Sequence, residues 1–89
     1  HKALNEYYDE IVGLLDDFAE TMQGRLMKRL PNFPKVVPFD SELPQDNIAV
    51  FRNYLDTARD VYAKYPELQS IIDNIQCLNS KTMYLLTMR

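Results

Sequence analysis

Asp16 and Glu20 are four residues apart. On a helix that spacing stacks their carboxylates one turn apart on a single face. Paired carboxylates of this kind suit iron or manganese, cations hard enough to favour oxygen ligands. His1, the only histidine, lies fifteen residues before Asp16. At 1.5 Å rise per residue that is about 22 Å along a helix axis, so one chain cannot close a site with all three. Two antiparallel copies of the helix can, because the His1 end of one then lies beside the Asp16 and Glu20 end of the other. The competing reading is a solvated acidic face. Asp16 adjoins Leu15 and Glu20 adjoins Ala19, so both carboxylates stand at the edge of an apolar stripe.

The elements that position these residues follow from hydrophobic periodicity. From about Lys2 to Leu30, apolar residues from Leu4 through Tyr7, Tyr8, Ile11, Leu14, Leu15, Phe18, Ala19, Met22, Leu26 and Met27 recur at steps of three and four. That pattern predicts one long amphipathic helix. Gly13 and Gly24 weaken it by about 1 kcal/mol each relative to Ala, and Pro31 is the latest stop. Residues 31–45 hold four prolines, which excludes a regular helix and predicts a long crossover. Val36, Val37 and Phe39 are its expected anchors to the bundle. A second helix is expected over about 46–64, capped by Asp46, with Ile48, Phe51, Leu55, Ala58, Val61, Tyr62 and Tyr65 inward. Tyr65-Pro66 breaks it, and Pro66 opens a third helix over 66–87. Its expected inward side chains are Leu68, Ile71, Ile72, Ile75, Leu78, Leu85 and Leu86. The stripe on each helix is broad enough to need several neighbours, so a further helix or a partner is the natural completion.

The stretch His1, Leu15-Asp16-Asp17-Phe18-Ala19-Glu20 and Gln23-Gly24, with Tyr8-Asp9-Glu10-Ile11, resembles the second helix of the Dps branch of the ferritin-like family. The wording of both chain ends looks closest to Dps-like proteins of large tailed phages. The resemblance implies an all-α, ferritin-like bundle of which this chain, 1–89, supplies three helices. The first helix of the four, with its His-Trp pair, is missing here, and no Trp is present. It also implies an inherited ferroxidase-type site, intact or degraded, with His1 from one subunit and Asp16 and Glu20 from another holding iron. Asn5 stands where many Dps proteins have a further acidic residue, so a second iron would be held loosely.

Composition sets the remaining bounds. Eighty-nine residues make one small domain with a marginal core, so association through antiparallel pairing of first helices, or with a helical protein partner, is expected. The net charge of −3 and the scattered cations give no nucleic-acid face. No stretch is apolar enough for a membrane span and none reads as a signal peptide; the resemblance to phage proteins implies a host cytoplasm or a virion as the location. Cys77, the single cysteine, reads as a buried structural thiol. No phosphate loop, hydrolase triad or zinc spacing is present. The alternative to an iron-oxidising assembly is a non-enzymatic helical module, such as a virion component or an inhibitor of a host factor.

Overall fold

The computed structural model describes residues 2–27 and 43–87. Three helices account for nearly all of them: α1 Lys2–Leu26, α2 Pro44–Val61 and α3 Pro66–Thr87. No strand occurs among the described residues. The all-helical expectation therefore stands, with the third helix beginning and ending where the sequence places it. His1 and the crossover anchors Val36, Val37 and Phe39 lie outside the described residues.

The other boundaries move for local reasons. α1 continues through Gly24 but stops at Leu26, because Met27 turns into the left-handed region at φ 54°. That conformation closes many helices, although glycine adopts it more cheaply. α2 opens two residues before Asp46. Leu43 is extended and Pro44 follows as the first helical residue. Proline is suited to that place, since its φ is already helical and its missing N–H would have had no intrahelical partner. Asp46 thus lies in the first turn, where its charge favours the helix dipole.

α3 is the element on which the other two pack. Leu68, Ile72, Ile75, Asn79 and Thr82 are buried, and Leu86 is half-buried in the same seam. Their alternating steps of four and three keep one narrow line of side chains facing inward. Full burial of each aliphatic member contributes about 1.5–3 kcal/mol. Against this line α1 sets Tyr7 and Ile11, and α2 sets Ile48 and Leu55. Cys77 falls on the far side of α3 and is exposed, not buried as expected. Leu85 and Val61 are also exposed, against expectation, because each sits off its helix's core line.

Polar contacts fix the helix directions. Tyr7 near the start of α1 meets Asn79 late in α3, and Arg25 at the end of α1 pairs with Glu67 at the start of α3. On the other flank, Gln76 donates to Asp56 and Arg59 donates to Asp73. Both α1 and α2 are therefore antiparallel to α3 and parallel to each other. The rings of Phe18 and Tyr62 lie 5.7 Å apart at the same end of the bundle. The connection from Leu26 to Pro44 thus starts at one end of α3 and finishes at the other, a job that needs a long segment. α1 alone is about 37 Å long at 1.5 Å per residue.

The short α2–α3 corner is held by one side chain. Gln69 Nε2 donates to the carbonyl oxygens of Arg59, at 3.1 Å, and Tyr62, at 2.8 Å. These are carbonyls at the end of α2, where intrahelical donors run out. Arg59 Nη1 donates back to Gln69 Oε1 at 3.2 Å. At the opposite end, Tyr7 Oη donates to Asn79 Oδ1 at 2.8 Å. Asn79 is fully buried, and its Nδ2 has no hydrogen-bond partner. Burial, with the neighbouring Tyr8 phenol as a lesser cause, pushes the Tyr7 phenol from 10.0 up to about 12.

Three expectations follow. Gln69→Ala should cost about 1–2 kcal/mol, because it strips a donor from two helix-end carbonyls. Asp73→Ala should cost less than about 1 kcal/mol, since its ion pair with Arg59 is solvent-exposed. Chemical denaturation of the two variants checks the order, and equal losses would contradict the capping role. Tyr7→Phe and Asn79→Leu should each destabilise by about 1–3 kcal/mol, while the double change should be nearly neutral. Additive losses in the denaturation cycle would show that the hydrogen bond does not couple them. Because the folded phenol has the higher pKa, its contribution is fully present below pH 10. It should be lost as pH rises from 10 to 12, by about 2–3 kcal/mol at about 1.4 kcal/mol per unit. Tyr7→Phe should remove that slope.

Candidate interaction face

Asp16 and Glu20 both lie on the exposed side of α1. Their spacing on one face is as the sequence predicts. The structure does not bring a third ligand to them: among the described residues no group of three or more His, Cys, Asp or Glu side chains converges. Asn5 is exposed on the same helix. Two oxygen donors one turn apart suit a hard cation but do not complete its ligand set. Further donors would be needed from outside the pair, such as water or another chain.

The feature the sequence reading did not isolate is a second apolar surface. On α1, Tyr8, Val12 and Leu15 are exposed, with Val12 at 59%. They recur at steps of four and three, one position further around the helix than Tyr7 and Ile11. On α2, Val50, Tyr54 and Val61 are exposed, with Tyr54 at 69%. These too follow a helical repeat, displaced from the core line of Ile48 and Leu55.

Both strips turn the same way. α1 faces α3 through Tyr7, and with Lys2, Ala3 and Glu6 lines a hollow against Leu85. Going around the helix from Tyr7 in the other direction leads through Leu4 to Tyr8 and Val12. α2 faces α3 through Asp56 and Arg59. Going around past Phe51, on the α1 side, leads to Tyr54 and Val50. By the helical repeat, each strip falls beyond the α1–α2 seam on the side away from α3, with Tyr8 and Tyr54 nearest that seam. At one end of the seam, Leu4, Tyr7 and Tyr8 meet Pro44, Asn47, Ile48 and Phe51 around a hollow of about 60 Å³. The hollow is predominantly apolar and has room for the end of one aliphatic side chain.

Several of these residues were expected in the core: Tyr8, Leu15 and Val61 all fit a broad apolar stripe. They are exposed because α3 offers a single narrow seam, which Tyr7 and Ile11 or Ile48 and Leu55 already fill. Val12, Val50 and Tyr54 carried no warning except their own spacing, which is helical but out of phase with the core line. The acidic character of α1 is plain in the sequence. Glu6, Asp9, Glu10, Asp16, Asp17 and Glu20 stand against only Lys2 and Arg25. Arg25 is occupied, pairing with Glu67 at 3.5 Å and lying 5.0 Å over the Tyr65 ring.

Comparison with known proteins corrects one expectation. No Dps or ferritin family matches; residues 1–86 match a family of unknown function, DUF5856. The resemblance to Dps proteins rested on His1, a few positions of α1 and the wording of the chain ends, and these short stretches do not carry family membership. The phage affinity is supported. The chain is 30% identical over 89 residues to an uncharacterized 14.6 kDa protein from the mobD-ri intergenic region of Enterobacteria phage T4. The match covers 99% of this chain and 67% of that protein. No solved structure matches, so the three-helix arrangement stands without a ferritin assignment. With the family match covering nearly the whole chain, this protein belongs to the DUF5856 family.

Proposed function

We propose that this protein is a non-enzymatic helical interaction module that docks another helix on its α1–α2 face. The observation that carries the reading is the pair of exposed apolar strips, Tyr8–Val12–Leu15 and Val50–Tyr54–Val61, on the two sides of one seam. A small domain that leaves two aligned apolar strips in water keeps a surface whose burial is worth roughly 25 cal/mol per Å². A groove between parallel helices fits a third helix presenting anchors at i, i+3 or i+4, and i+7. A virion component or an inhibitor of a host factor would both use such a face, in a virion or in a host cytoplasm. No described helix is long and apolar enough to cross a membrane.

A second reading keeps the support of the Asp16–Glu20 pair, one turn apart and exposed, with neither carboxylate in an ion pair among the described residues. In it, two copies pair antiparallel through α1, and His1 of one joins Asp16 and Glu20 of the other around iron. Ferrous titration of the native protein and of an Asp16→Asn, Glu20→Gln variant separates the readings. Iron binding lost in the variant favours the metal site, whereas equal behaviour leaves the module.

The module reading is tested by Val12→Ser with Tyr54→Ser. Both side chains are already exposed, so the thermal midpoint and helical circular dichroism should stay close to native, with a change of less than about 0.5 kcal/mol. Binding of an apolar dye, and any self-association seen by light scattering, should fall. If dye binding and association match those of the native protein, the face is not a docking surface.

A further inference from the structure

The apolar face has rims, and the rims carry a sign. On α1 the residues one turn either side of exposed Val12 are Asp9 and Asp16, with Glu20 one turn further. All three are exposed, and none makes an ion pair among the described residues. On α2 the strip ends at Val61 beside exposed Asp60. Three of the described cations are held away from the two strips. Arg25 is taken by Glu67 and Tyr65, and Arg59 by Asp73 and Gln69. Lys2 lines the hollow with Glu6 and Leu85 on the α3 side.

We infer that the occupant of the α1–α2 face is an amphipathic helix of another protein whose apolar ridge is flanked by Lys or Arg. This rests on the module reading and adds the chemistry of the partner. The apolar strips supply contact that does not depend on sign. The rims then choose among ridged helices, because like charges facing each other are penalised and opposite charges raise the association rate. A second copy of this chain is a poor occupant for the same reason. It would bring its own Asp9, Asp16 and Glu20 to an acidic rim, where no described residue of the two strips is a cation. The strip from Val50 to Val61 is about 16 Å long at 1.5 Å per residue, so three turns of partner helix cover it. One aliphatic anchor of that helix would enter the hollow lined by Leu4, Tyr8, Pro44 and Phe51.

The experiment uses the full chain and three labelled synthetic helical peptides. One has a leucine ridge with lysine flanks, one the same ridge with glutamate flanks, and one lysine flanks with a glutamine ridge. Fluorescence anisotropy is read at low and high salt. The lysine-flanked ridge should bind at least tenfold more tightly than the other two peptides at low salt. Its advantage over the glutamate-flanked ridge should shrink at high salt. Asp9→Asn, Asp16→Asn and Glu20→Gln together should erase most of that advantage, and Val12→Ser with Tyr54→Ser should weaken both ridged peptides. If both ridged peptides bind equally and both are weakened by Val12→Ser with Tyr54→Ser, the charge inference fails while the module reading survives. Tight binding of the glutamine-ridge peptide would reduce the effect to general attraction of polycations and overturn the inference. So would self-association through Val12 and Tyr54 without peptide binding, which makes a second copy the occupant. Peptide binding indifferent to Val12 and Tyr54, or no binding and no association at all, would overturn both the inference and the module reading.

Discussion

Everything in this protein depends on α3 being shared. α1 and α2 each bury their core line against it, and they meet each other only through side chains along one seam. One helix with a single narrow inward line, Leu68 to Leu86, must satisfy two partners whose apolar surfaces are broader than it can cover. The surplus on α1 and α2 has no third side of α3 to occupy. It collects at the seam that α3 does not reach. The apolar face is thus a direct product of how the core is divided, and the same division explains why the core tolerates a polar residue at Asn79. That side chain sits where α1 and α3 cross, and Tyr7 satisfies its oxygen while leaving its amide nitrogen unpaired. Buried polar groups of this type set register at a cost in stability.

Much of the architecture was legible in the sequence. Steps of three and four gave three helices, and Pro66 marked the start of α3 because proline suits a first helical position. The density of prolines after residue 30 required a long connection, which agrees with α1 and α2 running parallel. What was not legible was the width of the buried face. Periodicity reports that Tyr8 and Tyr7, or Val61 and Leu55, share a broad apolar sector. Which of them reaches the core depends on how many neighbours the helix has. Cys77 and Leu85 were misplaced for that reason too. Asn79 was overlooked because a polar residue on a core line leaves no hydrophobic signal.

The candidate site was legible only in part. Asp16 and Glu20 are on one face, as their spacing requires, and stand exposed beside an apolar strip. The wording around them resembled another family, yet family membership is carried by the match across residues 1–86. Short helical motifs are weak evidence of descent because any amphipathic helix edged with carboxylates reproduces them. The carboxylates gain their meaning here from position: they border an apolar strip, Tyr8, Val12 and Leu15, that is exposed among the described residues.

The long link between α1 and α2 also governs the order of assembly. α2 and α3 are joined by a four-residue corner, so their contacts cost little loop entropy to form. Tyr7 and Asn79 are 72 residues apart in the chain, and closing a loop of that length costs more before any contact repays it. Loop-closure entropy therefore favours pairing of α2 with α3 before α1 docks. Until it does, the line of Leu68, Ile72 and Ile75 is open along one flank. A newly made chain would pass through a stage in which its own α1 competes with any other amphipathic helix for that groove.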